Sequence, residues 1–104
     1  MFRHISLYTL EETPANGKSK AENMETLKEM LKKLPEIEPS IVNNVVGIGA
    51  GGPPGMPGFF EVAQIIDFET MDACMAYPMG KGHGELVEFG KGVIKDVAII
   101  DFEI

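Results

Sequence analysis

Two histidines are the residues of this chain best suited to acid–base chemistry. His83 ends the segment Tyr-Pro-Met-Gly-Lys-Gly-His, residues 77–83, which follows a stretch with helical character. His4 lies near the start of the first strand-like run. Imidazole has an unperturbed pKa near ~6.5, so it can take a proton from an activated carbon or return one at neutral pH. A single short domain could fold so that both imidazoles share one cavity, and this pairing is the main chemical indication in the sequence.

Structural roles for the same residues stay open at this point. His4 could be a strand histidine that is hydrogen-bonded inside the fold, because buried polar groups are usually paired. His83 stands among three glycines, where it could cap a helix or face solvent. Tyr77 could simply pack, with its hydroxyl satisfied locally. Since loop residues carry function more often than core residues do, His83 is also a candidate for a ligand site.

Other apparent motifs give weaker indications. The histidines with Asp101 or a glutamate could bind a metal, but no His-x-x-x-His or cysteine cluster supports this, so we expect no metal. The Gly-x-Gly-x-Gly-Gly run that begins at Gly47 precedes a strand, whereas a phosphate-binding loop opens a helix. It is more typical of a hairpin connection that flanks a pocket. Cys74 lies beside two methionines on a helical stretch, which favours packing over nucleophilic chemistry.

Composition limits the classes of partner. The chain has 104 residues, 44% of them hydrophobic, which fits one globular domain over residues 1–104. Its formal net charge of −7 argues against binding to nucleic acid or to anionic membranes, because both attract clustered Lys and Arg. A single cysteine, no apparent signal peptide and no apolar run long enough to span a bilayer predict a reducing, cytoplasmic location. Small molecules and protein partners are the classes that remain.

The elements that must position the histidines alternate between strand and helix signals. The first half begins with a β-branched and aromatic run, Phe2–Leu10, which predicts a strand. Ser19 and Glu22 form a capping-box pattern before an amphipathic helix that we expect over Ser19–Leu34, ended by Pro35. A second strand is predicted over Ile41–Ile48.

The second half repeats the alternation after a Gly- and Pro-rich tract at residues 49–58 that cannot continue a strand. It predicts a strand, a helix capped by Thr70 and reaching about Tyr77, a further helical piece and a closing strand. The predicted order is β-α-β-β-α-β, an α+β, ferredoxin-like protomer with a four-stranded antiparallel sheet. The remaining predicted bounds are Phe59–Phe68 for the third strand, Glu85–Ile94 for the helical piece and Asp96–Ile104 for the last strand.

Both faces of the predicted sheet are partly apolar. In the first strand, His4 and Tyr8 share one face, whereas Ile5 and Leu7 lie on the other. Right-handed crossovers place both helices on the same side of the sheet, so the second face needs another cover. A second copy of the sheet would supply it, and we therefore expect a homodimer packed sheet to sheet.

The sequence resembles the stress-responsive A/B barrel (Dabb) family of the dimeric α/β barrel superfamily, and in particular its olivetolic acid cyclase-like members. Several members carry Tyr-x-x-His-Pro-x-His at the central position. Here Tyr77 and His83 keep the outer places, but Gly80 and Lys81 stand where the first His and the Pro would be. The likeness covers nearly the whole chain, and its further parts are the opening Phe2-Arg3-His4-Ile5, the Leu34-Pro35 pair after the capped helix, Phe68-Glu69-Thr70 before the second helix, and the closing run Val97-Ala98-Ile99-Ile100-Asp101-Phe102-Glu103.

The resemblance implies a ferredoxin-like protomer that pairs as a dimeric α/β barrel with a pocket between sheet and helices. It also implies cofactor-independent aldol-type chemistry on a small hydrophobic or carbonyl-containing ligand. The family residues for that chemistry fall on His83, Tyr77 and His4. A tyrosine hydroxyl can orient the imidazole base or donate to a developing enolate oxygen.

Two classes of function follow from these observations. The first is a cofactor-independent enzyme, a cyclase or isomerase acting on a carbonyl-activated substrate, with a monooxygenase as the lesser variant. The second is a non-catalytic, stress-related ligand-binding or structural dimer. A cavity shared by His4 and His83 favours the first class, whereas a filled core at that place favours the second.

Overall fold

The computed structural model describes all 104 residues and gives the strands and helices in the predicted β-α-β-β-α-β order. The second crossover is divided into three short helical pieces. In chain order the elements are β1 (Phe2–Leu10), α1 (Lys20–Ile37), β2 (Ile41–Ile48), β3 (Val62–Phe68), α2 (Met71–Ala76), a 3-10 helix (Tyr77–Met79), α3 (Lys81–Gly90) and β4 (Ile94–Glu103).

The four strands form one antiparallel sheet in the order β2-β3-β1-β4. β1 is central, and it pairs with β3 on one side and with β4 on the other. Its register places His4 opposite Ile66 of β3 and opposite Asp101 of β4. The predicted ferredoxin-like α+β fold is therefore confirmed.

Helix α1 begins as predicted but ends later. Ser19 and Glu22 form the capping box, in which each side chain accepts a hydrogen bond from the backbone N–H of the other residue. The predicted end at Leu34 is wrong, because the helix runs on to Ile37 with Pro35 inside it.

The continuation through Pro35 has a visible cause. Proline has no N–H, so the carbonyl of Leu31, four residues earlier, loses its usual helical donor. That carbonyl instead accepts hydrogen bonds from the side-chain amides of Asn44 at 3.0 Å and Gln64 at 3.3 Å. Strands β2 and β3 thus supply the donors that the helix lacks.

The second crossover differs from the prediction in its bounds. Thr70 caps α2 as expected, its hydroxyl accepting from the Ala73 N–H at 3.1 Å. The helical piece predicted over Glu85–Ile94 is wrong at both ends, since α3 spans Lys81–Gly90. It ends early because Gly92 adopts a φ of 70°, a turn conformation that glycine accepts and a helix does not.

Two strand starts also differ. β3 begins at Val62 instead of Phe59, because the Gly- and Pro-rich tract extends its irregular backbone to residue 61. A side chain at Gly49 would meet the Phe60 carbonyl oxygen at 2.6 Å, so the two ends of this connection lie close together. β4 begins at Ile94 instead of Asp96, with an irregularity in its pairing at Thr9 and Leu10 of β1.

The core lies between the helices and one face of the sheet. Leu27, Leu31 and Leu34 project from α1, and each is almost fully buried. They belong to one apolar cluster with Ile66 and Phe68 of β3. This burial of the leucine face is what holds the amphipathic helix on the sheet.

The opposite face of the sheet carries no helix. Its central row crosses all four strands through β-branched side chains, with Ile65 of β3 opposite both Val45 and Ile5, and Ile5 opposite Ile100. Val45 is 60% exposed and Ile100 is 57% exposed in the single chain. We call this surface the open face, and it is the second apolar face that the sequence predicted.

One polar cluster lies on the open face. Arg3 of β1 donates two hydrogen bonds to the Asp67 carboxylate of β3, at 2.8 and 3.0 Å, and Asn43 of β2 donates a third at 3.1 Å. Asp67 is only 2% exposed. The cluster joins three strands through one buried carboxylate.

None of the helices combines the length and the apolar character that spanning a membrane would require.

Candidate active site

The three predicted site residues line one cavity. This cavity has a volume of about 410 Å³ and lies between α3 and the β1–β4 side of the sheet, within the size range of small-molecule sites. Its walls come from five parts of the chain: His4 and Tyr8 of β1, Tyr77 of the 3-10 helix, His83, Leu86, Val87 and Gly90 of α3, Lys91 just after it, and Ile94, Val97 and Ile99 of β4.

Tyr77 stands between the two imidazoles. Its ring centroid lies 5.4 Å from that of His4 and 5.3 Å from that of His83, both in edge-to-face geometry. A third aromatic contact, to Phe68 at 5.6 Å, supports the Tyr77 ring from the core side. The 3-10 helix and the first turn of α3 therefore bring Tyr77 and His83 to the His4 of the central strand.

His4 is oriented by a carboxylate. Its Nδ1 lies 2.6 Å from Oδ1 of Asp101, the residue directly opposite it on β4. An ionised carboxylate can only accept, so Nδ1 carries the hydrogen and donates it. Nε2 is the nitrogen left for another partner. From the sequence, the only chemical role considered for Asp101 was that of a metal ligand. Antiparallel pairing of β1 with β4 is the pattern that would have predicted its contact with His4.

Burial sets the ionisation of the other two side chains. Desolvation lowers the pKa of His83, and the nearby His4 lowers it further, while the Glu38 carboxylate opposes both. Burial also raises the pKa of Tyr77 far above its ordinary value. Both shifts favour the uncharged side chain at neutral pH, the neutral imidazole for His83 and the protonated hydroxyl for Tyr77. These are the states that a general base and a hydrogen-bond donor require.

Both groups are free to meet a ligand. Neither the Tyr77 hydroxyl nor a ring nitrogen of His83 makes a hydrogen bond within the chain, and none of these atoms is sealed from solvent. Tyr8 lies further along the same face of β1 as His4, and burial raises the pKa of its hydroxyl. The alternation of side chains along β1 predicted Tyr8 on that face, but Tyr8 was not among the predicted site residues.

Cys74 and the Gly- and Pro-rich tract, the other motifs considered from the sequence, lie outside the cavity. Cys74 is buried in the apolar core, as predicted, and burial, with the nearby Asp101, raises the pKa of its thiol. No group of three or more His, Cys, Asp or Glu side chains is arranged to hold a metal ion. The tract at residues 49–58 contributes nothing to the wall of the cavity. Its last residue, Gly58, borders a more polar hollow of about 550 Å³ near Lys20 and Glu61.

Comparison with known proteins gives a family and a shared fold. The family model described as Stress Responsive A/B Barrel Domain matches residues 2–104. A search of curated proteins gave no significant match. Among solved structures, a dimeric ferredoxin-like protein of unknown function from Bacteroides fragilis superposes with a TM-score of 0.78 at 23% identity, covering 99% of this chain and 95% of that one.

Two superposed proteins are enzymes by name. The hydroxynitrile lyase of Passiflora edulis gives a TM-score of 0.77 at 13% identity, over 99% of this chain and 92% of that one. An antibiotic biosynthesis monooxygenase gives 0.70 at 12% identity, over 100% and 98%. Such low identities establish the fold alone. The family match, which covers all but the first residue, goes further: this chain belongs to the stress-responsive A/B barrel domain family.

Proposed function

We propose that this protein is a cofactor-independent acid–base catalyst, a cyclase or isomerase that acts on a small, largely apolar substrate with a carbonyl-activated C–H bond. The observation that carries the proposal is the cavity shared by His4, Tyr77 and His83. Its remaining walls are mostly aliphatic, which suits an alkyl or aryl body beside one polar end.

The three side chains have complementary parts in the proposed step. The neutral His83 takes the proton, and the electron pair of the C–H bond moves into an enolate. The Tyr77 hydroxyl donates a hydrogen bond to the enolate oxygen, where negative charge develops. His4, held through Nδ1 by Asp101, offers Nε2 to an enol or phenol hydroxyl of the ligand. Return of the proton from His83 to another carbon or oxygen completes an isomerisation. In a ring closure the enolate carbon instead attacks a second carbonyl carbon, and the alkoxide that forms takes the proton back from His83.

The proposal includes a homodimer formed through the open face. The row Val45, Ile65, Ile5 and Ile100 would be covered by the same row of a second copy. The Bacteroides fragilis protein of this fold is described as dimeric, which supports the same assembly here. A reducing compartment such as the cytoplasm fits the one cysteine, Cys74, which is free and buried.

The experiment measures proton exchange at carbon. Ethyl 3-oxooctanoate, a β-keto ester with an alkyl chain, is incubated in D₂O with the protein, and the loss of its α-proton signal is followed by NMR. We expect exchange above the buffer rate. Replacement of His83 by Gln should reduce the enzymatic part by ~10²–10⁴-fold, the usual effect of removing a positioned base.

The matched control is Lys81→Gln, because Lys81 lies two residues from His83 on the same helix and is 79% exposed. It should exchange the probe at the wild-type rate. If the keto ester binds to the wild-type protein and exchanges only at the buffer rate, the catalytic proposal fails and a non-catalytic ligand-binding dimer takes its place. The fold shared with a monooxygenase gives oxygenation as a lesser candidate, which oxygen uptake in the presence of the same compound would reveal.

A further inference from the structure

The first turn of α3 has no capping side chain of its own. Gly80 occupies the N-cap position and makes no side-chain hydrogen bond there. The free N–H groups of a helix start need acceptors, and Ser, Thr, Asp or Asn usually provides one from the N-cap. In α3 the acceptor comes from a distant part of the chain. The Oε1 atom of Glu38, the C-cap residue that directly follows α1, accepts from the Gly82 N–H at 3.0 Å.

Two glycines make room for this carboxylate. A Cβ atom at Gly80 would overlap the carboxylate group of Glu38, and one at Gly82 would lie 3.2 Å from Glu38 Cγ while also crowding Leu34. By contrast, a Cβ at Gly84 would meet nothing within 4 Å. A side chain at position 80 would therefore displace the Glu38 carboxylate, one at position 82 would first meet Leu34, and one at position 84 would meet neither.

The anchored turn is the one that carries His83. Gly82 directly precedes His83, and Tyr77 begins the preceding 3-10 helix. His4 from β1, Tyr77 from the 3-10 helix and Glu38 just after α1 lie near His83. Tyr8 of β1 and Lys91 after α3 line the same cavity. Of these, only Glu38 carries a negative charge. Asp101 lies behind His4.

We propose that Glu38 is a positioning residue that fixes the His83-bearing turn of α3 from the end of α1, and that Gly80 is present because Glu38 fills the space of its side chain. The family pattern Tyr-x-x-His-Pro-x-His has a histidine where this chain has Gly80. A carboxylate from α1 therefore stands where that side chain would begin. The part of the proposal that concerns catalysis rests on the proposed function.

The first test separates the charge of Glu38 from its hydrogen bond. Glu38→Gln keeps an oxygen acceptor for Gly82 but removes the charge, so the pKa of His83 should fall further below its ordinary value. The pKa is read from the pH titration of the imidazole ring protons by NMR. Glu38→Ala also removes the acceptor, and amide hydrogen exchange at Gly82 should become about tenfold faster, as expected for the loss of a hydrogen bond to a charged group.

The second test uses the space at position 80. Gly80→Ala should expel the carboxylate and reproduce both effects of Glu38→Ala, and the double variant should be no worse than either single one. Gly84→Ala, on the same helix, should leave the His83 titration and the Gly82 exchange rate unchanged.

The proposal is overturned if Glu38→Gln leaves the His83 titration unchanged or raises its pKa, or if Glu38→Ala leaves Gly82 exchange at the wild-type rate. If Gly80→Ala does not fold, the His83 titration can still be measured in Glu38→Gln. Neither measurement depends on turnover. The His83 titration and the Gly82 exchange rate would test the role of Glu38 even if the protein did not exchange the α-proton of the keto ester.

Discussion

At the scale of single residues, burial shifts the pKa values of His83 and Tyr77 in opposite directions. Taking an imidazole out of water favours its neutral form and lowers its pKa, whereas taking a phenol out of water favours its neutral form and raises its pKa. For His83 the result is a base ready to accept a proton, and for Tyr77 it is a hydroxyl that keeps its proton. Burial is the largest cause of both shifts, with smaller contributions from His4 and Glu38 at His83 and from Tyr8 and Glu38 at Tyr77.

This arrangement predicts the pH dependence of the proposed exchange reaction. Protonation of His83 abolishes the base, and its pKa lies below the ordinary 6.5, so the midpoint of the acid limb of activity should lie below pH 6.5. Since the pKa of Tyr77 is raised from 10.0, no alkaline loss should occur below pH 10. The measurement is the rate of α-proton exchange from pH 4 to 10. An acid limb centred above pH 7 would contradict the assignment of His83 as the base.

The three predicted site residues, His4, Tyr77 and His83, could be picked out from the sequence. The hydrogen bond between Asp101 and His4 could not. Histidine and tyrosine are rare in this chain and stand out by type, whereas Asp101 is one of sixteen acidic residues. Its meeting with His4 depends on the register of two strands, and the two residues are 97 positions apart along the chain. Register is a property of the folded sheet, and a shift by one residue would turn the Asp101 side chain to the open face.

At the scale of elements, the end of α1 shows how neighbouring strands decide what a helix can do. Pro35 normally marks a helix boundary, because it lacks a donor and crowds the preceding turn. The amides of Asn44 and Gln64 replace the missing donor at the Leu31 carbonyl, and three more residues stay helical. This extension carries Glu38 toward the start of α3. The local sequence contains Pro35, which predicts a helix end, but the donors that replace its missing N–H come from β2 and β3. The predicted boundary was therefore wrong because of contacts that form only in the folded protein.

A double-mutant cycle tests this compensation. Asn44→Ala should lower the free energy of unfolding by about 1–2 kcal/mol, since it leaves only the longer Gln64 hydrogen bond on the Leu31 carbonyl and removes the acceptor of the Gln64 amide. In a Pro35→Ala background the new backbone N–H at position 35 supplies that donor, so the same Asn44 substitution should cost less. Urea unfolding followed by circular dichroism gives the four free energies. Additive losses, within about 0.5 kcal/mol, would show that the two sites are independent.

At the scale of the whole molecule, the two faces of the sheet differ in what covers them. The helix face holds the core at the β3 side and the cavity at the β4 side, because α1 covers the former and α3 only partly covers the latter. The open face is apolar in its central row and polar at the Arg3–Asp67–Asn43 cluster. The alternation of side chains along β1 predicted both surfaces from the sequence. The cluster was not predicted, because it joins residues from three strands.

The Asp67 cluster predicts an acid-sensitive term in stability. Hydrogen bonds from Arg3 lower the pKa of Asp67 below 3.8, the value expected in the unfolded chain. The ionised group therefore stabilises the fold at all pH values above 3.8, and this contribution is lost as the pH falls through the lower, folded-state pKa. Asp67→Asn should reduce the free energy of unfolding at pH 7, and the difference from wild type should narrow toward pH 2. A difference that stays constant between pH 7 and pH 2 would rule out this origin.

The assembly itself gives the last prediction. Ile5, Ile65 and Ile100 lie side by side on the open face, and full burial of one such side chain is worth ~1.5–3 kcal/mol. A single chain would leave this row in water, so light scattering at micromolar concentration should give about twice the mass of one chain.

Ile100→Lys should shift the protein to monomers, because a second copy would have to bury the ammonium group. Met79→Lys, at a site that is 89% exposed and off the sheet, should remain dimeric. A wild-type protein that stays monomeric at these concentrations would refute the sheet-to-sheet dimer and leave the open face without its proposed cover.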